Sequence, residues 1–152
     1  MPTTIDVVDD LHRLLGQQLA NSDWFDITQD RVNTFADATE DHQWIHVDVA
    51  RANTESPFGG PIAHGYLTLS LLSAMVLQVL TVRQASMAVN YGLNKVRFPA
   101  PVPVGSKVRL TAEVASVEDI AGGVQIALRA TVHCTAVDKP VCVAEPVYRF
   151  YR

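Results

Sequence analysis

The sequence predicts an α+β protein in which a curved antiparallel sheet wraps around one long apolar central helix. Three observations carry that expectation. From Ile62 to about Leu80 nearly every residue is apolar or small, and a helix apolar on all sides is a buried one. From Met87 onward the apolar period falls to two, the period of a strand. Short turn-forming segments separate the later strand-like runs, so their neighbours are expected to run antiparallel.

Taken in chain order, Val7, Val8, Leu11, Leu14, Leu15 and Leu19 line one face of an extra N-terminal helix spanning Val7 to Ala20. A short strand, Trp24 to Ile27, leads to Thr28, whose hydroxyl can cap a helix carrying Val32, Phe35 and Ala36 on one side and ending near Thr39. Between Glu40 and Val47 the period is lost, which predicts a loop, and Asp48 then caps a brief helix through Ala52. Ser56-Pro57-Phe58-Gly59-Gly60-Pro61 is a second irregular segment, because its prolines and glycines disfavour both helix and ladder. The apolar helix follows. A membrane span needs about 20 largely apolar residues, and His64, Thr68, Ser70, Ser73 and Gln78 interrupt this one.

In the second half Met87, Val89, Tyr91 and Leu93 alternate, and Val96 and Phe98 resume out of phase, which predicts a bulge near Gly92. Val108 to Val114, Val124 to Cys134 and Val141 to Tyr151 are the remaining strands, with turns at Gly122-Gly123 and around Asp138-Lys139-Pro140.

A chain of 152 residues, 48% of them hydrophobic, is sized for one domain over 1–152, and no repeat or linker divides it. A net charge of -4 gives no basic excess from which to argue nucleic-acid binding or a polybasic membrane patch. Met1 to Asp10 lacks the charged start and apolar core of a secretory signal, so a cytoplasmic location is expected. Cys134 and Cys142 lie in strand-like runs without metal-ligand spacing, which predicts buried reduced thiols rather than a disulfide.

Two polar clusters sit in irregular segments beside the apolar helix, where sites are commonly placed. The first, Thr39-Glu40-Asp41-His42-Gln43-Trp44-Ile45-His46, contains a carboxylate and an imidazole five residues apart. Converging from a loop, Asp41 and His46 can hold a water for acid and base work; equally, Asp41 can cap and His46 can pack. The second cluster is Ala63-His64-Gly65-Tyr66. Gly65, at the first turn of the helix, either exposes a backbone N–H to developing negative charge or permits close packing against the sheet. His64 reads as a structural or supporting histidine.

These clusters and the order of elements resemble the MaoC-like, or R-specific, enoyl-coenzyme A hydratases (hydratase 2), over about Trp24 to Tyr151. That family's signature is Asp, any residue, Asn, Pro, an aliphatic residue and His, followed downstream by an aliphatic-His-Gly element. Asp41, Ile45, His46 and Ala63-His64-Gly65 stand at the matching positions, with Gln43 in place of Asn and Trp44 in place of Pro. The form Asp-His-Gln-Trp-Ile-His, with Tyr-Gly-Leu-Asn-Lys-Val-Arg-Phe-Pro-Ala-Pro-Val-Pro-Val-Gly at 91–105, looks like the nodulation-protein-N-like branch, which includes mycobacterial single-domain members.

The resemblance implies a hot dog fold, a homodimer with each site near the subunit interface, and hydration of a 2-trans-enoyl-coenzyme A to the (R)-3-hydroxyacyl thioester. It implies that Asp41 and His46 activate the water and that the Gly65 N–H binds the thioester oxygen. Of the substrate-binding candidates, Gln43 is then expected to position the acyl chain or the loop and Ser73, eight residues beyond Gly65, to lie near the catalytic pair, and Lys95 and Arg97, with Lys107 and Arg109, are the candidates for the coenzyme A phosphates. No metal or other cofactor is expected. The rival readings are a hot dog thioesterase using the same pocket and a non-catalytic acyl-binding subunit of a heteromeric dehydratase; the paired Asp41 and His46 favour hydration. Acyl-chain length, physiological direction and assembly beyond a dimer are not legible in the sequence.

Overall fold

The computed structural model describes residues 1–152. Its main sheet has five antiparallel strands in the order β2-β5-β6-β7-β4: β2 (Phe25–Asp26), β4 (Met87–Arg97), β5 (Lys107–Ile120), β6 (Gly123–Cys134) and β7 (Val137–Tyr151). The alternation read from the sequence is the alternation of burial. Val108, Leu110, Ala112 and Val114 of β5 and Val124, Ile126, Leu128, Ala130 and Val132 of β6 all point into the core, which the period of two requires of a sheet covered on one face.

The helix that fills this sheet begins at Gly65 rather than Ile62, because Ile62 and Ala63 are held extended by Pro103 and Val102. It is two segments, α4 (Gly65–Ser70) and α5 (Leu72–Val79). Leu71 between them keeps right-handed helical torsions, and Leu71 and Met75 both donate to carbonyls four residues back, so the axis is nearly continuous. Leu72, Met75, Val76 and Val79 join the inward strand residues in one core. The helix is not buried all round: Tyr66 and Leu77 are about 70% exposed. Leu80 has already left it for β3 (Leu80–Val82), which pairs in parallel with β1 (Thr3–Ile5).

The N-terminal helix is shorter and tighter than expected, a 3-10 helix over Val8–Leu14. Its buried residues are Val8, Leu11 and Leu14, a spacing of three that places them above one another on a 3-10 helix. Gly16, at φ +77°, turns the chain out of it, and Gln17 to Leu19 then run along β5, with the Leu19 N–H on the Ala112 carbonyl.

Helix α1 (Gln29–Thr39) is capped as expected by the Thr28 hydroxyl, which accepts from the Arg31 N–H at 3.1 Å. Asp48 likewise caps α3 (Val49–Glu55), which runs beyond Ala52. The segment expected to be loop from 40 to 47 contains one helical turn, α2 (Trp44–Val47), too short for a periodic signal.

In the sheet, register shifts at Asn90/Gly92 and Leu93/Val96 place the expected irregularity in β4 and add a second. The β5–β6 turn is Ala121-Gly122, with Gly122 at φ +77° and Gly123 already paired with Ile120. The β6–β7 turn is Thr135-Ala136, not Asp138-Lys139-Pro140, since Val137 pairs with Cys134. Pro140 is accommodated inside β7 because the register shifts between its flanking pairs, and a bulge is where a strand tolerates a residue without an N–H.

Candidate active site

Helix α1 ends at Glu40, whose left-handed φ of 65° sends the chain sharply into the segment carrying Asp41. The Asp41 carboxylate accepts from the Gln43 N–H at 3.3 Å, a turn that leads into α2. One turn later His46 points inward and is 6% exposed. Gln29, on the first turn of α1, donates its amide to the His46 carbonyl at 2.8 Å and so fixes α2 to α1.

The His46 ring is fixed as firmly. Its Nδ1 lies 2.7 Å from the carbonyl of Ile62, and a carbonyl can only accept, so Nδ1 carries the proton and Nε2 carries the lone pair. Burial pushes the His46 pKa below its ordinary 6.5, and the adjoining His64 pushes the same way, against the opposing pull of the Ile62 carbonyl and Asp41. At neutral pH this imidazole is a neutral base. Its Nε2 makes no hydrogen bond within the protein, and the residue forms part of the wall of a cavity of about 350 Å³.

Phe58, Ile62, Gly65, Thr68 and Phe98 line the same cavity. The Gly65 N–H is taken by no backbone carbonyl. A Cβ at Gly65 would meet the Phe98 ring at 3.2 Å, so the absence of a side chain serves close packing. The close-packing reading of this glycine is the one its contact with Phe98 bears out.

His64, the residue before α4, is 3% exposed. Its Nε2 donates to the main-chain carbonyl of Asp41 at 2.9 Å and lies 4.0 Å from that residue's carboxylate. Its ring stacks on His46, with centroids 3.8 Å apart and planes 24° apart, and packs against Phe35 at 4.9 Å. Ligand atoms of Asp41, His46 and His64 lie within 4.8 Å of one another. The stack nevertheless suits a metal poorly. Imidazole lone pairs lie in the ring plane, and an ion about 2 Å from both nitrogens must lie in both planes, which rings stacked this way do not allow.

The structure thus brings Asp41 and His46 together beside His64 and places His46 and Gly65 on one cavity wall; Asp41 is not part of that wall, and half of its side chain is exposed. It does not bring the other expected residues to the same wall. Gln43 is exposed and contributes backbone groups only. Ser73 lines a second pocket of about 320 Å³ with Asn90 and Tyr148, and accepts a 3.0 Å hydrogen bond from Asn90. Lys95 and Arg97 are exposed on β4, next to the cavity residue Phe98. Lys107 pairs with Asp26 at 3.5 Å and Arg109 stacks on Trp24; both belong to β5, which β6 and β7 separate from β4. Gln29 was not named in the sequence, and Phe35 and Phe98 were named only for a helix face and a strand, not for the site. Thr68 was visible only as a polar break in an apolar run; it is buried in the cavity wall and its hydroxyl has no partner.

Comparison with known proteins places this geometry. The family described as MaoC like domain matches residues 10–136. Over 148 residues the chain is 53% identical to 3-hydroxyacyl-thioester dehydratase Z of Mycobacterium tuberculosis, covering 97% of each protein. The chain belongs to the MaoC-like dehydratase family. It is also 54% identical over 101 residues to nodulation protein N of Rhizobium leguminosarum bv. viciae, covering 66% of this chain and 63% of that one. The unliganded R-hydratase PhaJ1 of Pseudomonas aeruginosa has the same fold, with a TM-score of 0.73 and 27% identity over 91% of this chain and 82% of that chain. The curled sheet around α4 and α5 is therefore the hot dog fold of a hydro-lyase family. No helix is long and apolar enough to cross a membrane.

Proposed function

We propose that this MaoC-like protein adds water reversibly across the 2,3 double bond of a 2-trans-enoyl-coenzyme A, giving the (R)-3-hydroxyacyl thioester. The observation that carries the proposal is the fixed tautomer of His46, neutral at pH 7, with Nε2 unpaired within the protein, on the wall of a largely apolar cavity and with the Asp41 carboxylate within 4.8 Å of a ring nitrogen. A water held between His46 Nε2 and Asp41 gives up a proton as its oxygen bonds to C3. The displaced electron pair moves onto the thioester oxygen, where the Gly65 N–H stabilises it. Return of the proton to C2 completes the addition with no net proton uptake. Lys95 and Arg97, exposed on β4, are the groups proposed to meet the coenzyme A phosphates; Lys107 and Arg109 are engaged elsewhere. The relatives named thioester dehydratase and R-hydratase support the substrate class and the hand of the product. Cys134 and Cys142 are free buried thiols, in keeping with a cytoplasmic protein.

The test is loss of enoyl absorbance on mixing the protein with crotonyl- and longer 2-trans-enoyl-coenzyme A, with free thiol assayed in parallel. Hydration without thiol release is expected, unchanged by EDTA. Stoichiometric thiol release without hydroxyacyl product assigns a thioesterase, activity restored only by zinc assigns a metal mechanism, and consumption of the product by an S-specific dehydrogenase reverses the stereochemistry.

The depressed pKa of His46 predicts the pH dependence. kcat/KM should hold steady from about pH 7.5 to 6.5 and fall only as the pH drops through the lowered folded-state pKa, below 6.5. Stability follows with the same sign. The unfolded chain takes up a proton first on acidification, so the contribution from neutral His46 is fully present above 6.5 and is lost below it. An acid limb centred above pH 7 contradicts His46 as the base.

A homodimer is proposed on β4. This strand is an 11-residue edge, and Met87, Tyr91 and Leu93 on it are 44–57% exposed. A long apolar edge with unpaired backbone groups is a template for another strand, and a second copy offers the same edge under two-fold symmetry. Sedimentation at micromolar concentration should give about twice the 16.6 kDa of one chain; a monomer there refutes this assembly.

A further inference from the structure

We infer that His64 is the positioning residue of the Asp41 and His46 pair, an inference that rests on the role proposed for that pair above. Asp41 lies in a segment with little else to hold it. Its carboxylate meets only the Gln43 N–H of the same turn within hydrogen-bonding distance, and its main chain is tied to the rest of the protein by the single bond from His64 Nε2. His64 also lies face to face with His46. One buried ring therefore touches both partners, and it does so from the residue that immediately precedes Gly65 and α4.

The arrangement accounts for the state of the His64 ring. Donation to a carbonyl puts the proton on Nε2, which leaves Nδ1 buried without a partner. An imidazole that only filled space could be replaced by an apolar ring with no unpaired nitrogen. What such a ring lacks is the bond to Asp41. Phe35 of α1 packs against His64 with ring centroids 4.9 Å apart, so α1, the start of α4 and the Asp41 segment converge on this side chain. Fixing a carboxylate relative to a base is a matter of fractions of an ångström, and a misplacement of about 1 Å can cost about 10²-fold in rate.

The test is a double-mutant cycle in the hydration assay, with His64→Phe, which keeps the stacked ring and loses the donor, and Asp41→Asn. Alone, His64→Phe should lower kcat about 10²-fold with KM nearly unchanged; in the Asp41→Asn background it should cost less than about threefold, because it acts through a group already disabled. His64→Gln, whose amide can reach the Asp41 carbonyl, should recover most of the loss. If the Phe variant does not fold, the cycle is run with His64→Ala. A full multiplicative loss in the Asp41→Asn background, or wild-type kcat in a folded His64→Phe protein, overturns the inference. Hydration by wild type with no effect of Asp41→Asn overturns the role of the pair, and no hydration by wild type removes the reading and the inference together.

Discussion

His46→Ala and Asp41→Asn are each expected to lower kcat by about 10²- to 10⁴-fold, the usual contribution of a positioned acid or base, with KM and folding little changed. The two losses should not multiply. Both groups act on one water, and once either is gone the other has nothing to complete, so the double variant should fall far short of the product of the single effects. The structure separates this outcome from a structural one. If Asp41 served only to turn the chain into α2, its value would lie in the 3.3 Å bond to the Gln43 N–H, and Asn, which keeps an oxygen acceptor there, would cost at most about 1 kcal/mol of stability and little rate. His46→Ala removes a ring from a stack and releases the Ile62 carbonyl; its thermal unfolding must therefore be measured beside its kcat. Near-wild-type turnover by folded Asp41→Asn would falsify the mechanism.

The elements legible in the sequence are those whose own side chains decide them. Alternation in β5 and β6 was readable because each inward residue is buried by the same core. The caps at Thr28 and Asp48 were readable because a cap is chemistry within three residues. Elements decided by distant chain were not. Thr3–Ile5 is β-branched but only three residues long, too short to show a period; it is a strand because β3 runs beside it. The helix predicted from Val7 stops at Leu14 because the following residues find carbonyls on β5.

The site divides the same way. Asp41, His46 and Gly65 could be named as candidates from their motif, whereas the contacts that hold the Asp41 and His46 segments in place span 17 residues from Gln29 to His46, 16 from His46 to Ile62 and 23 from Asp41 to His64. Ser73 and Gln43, carried over on motif position alone, lie outside the His46 cavity wall. A signature fixes which residue types are present, and the fold decides which of them share a cavity.

The largest loss of stability is expected at Gly123, for a reason that differs from that at its neighbour. Gly122 occupies the turn between β5 and β6 at φ +77°, and a Cβ there would meet nothing closer than the Tyr151 ring at 3.9 Å. Its constraint is conformational, so Gly122→Ala should cost about 1–2 kcal/mol and Gly122→Asn, which tolerates left-handed backbone, less. Gly123 does not have a positive φ, but a Cβ would stand 2.1 Å from the Phe150 carbonyl oxygen of β7. That obstacle is backbone, with no flexible end to swing aside, so any side chain must push β6 and β7 apart where Gly123 pairs with both Ile120 and Tyr151. Overpacking of this kind costs about 1–3 kcal/mol or more, and at about 2–4 °C per kcal/mol for a chain of this size Gly123→Ala should lower Tm by about 3–10 °C. Gly123→Asn should be no better than Gly123→Ala. Thermal unfolding of the four variants separates the two causes: relief by Asn at position 122 and none at 123 is the expected pattern, and a Gly123→Ala protein that melts with wild type would show that the β6–β7 contact is looser than 2.1 Å implies.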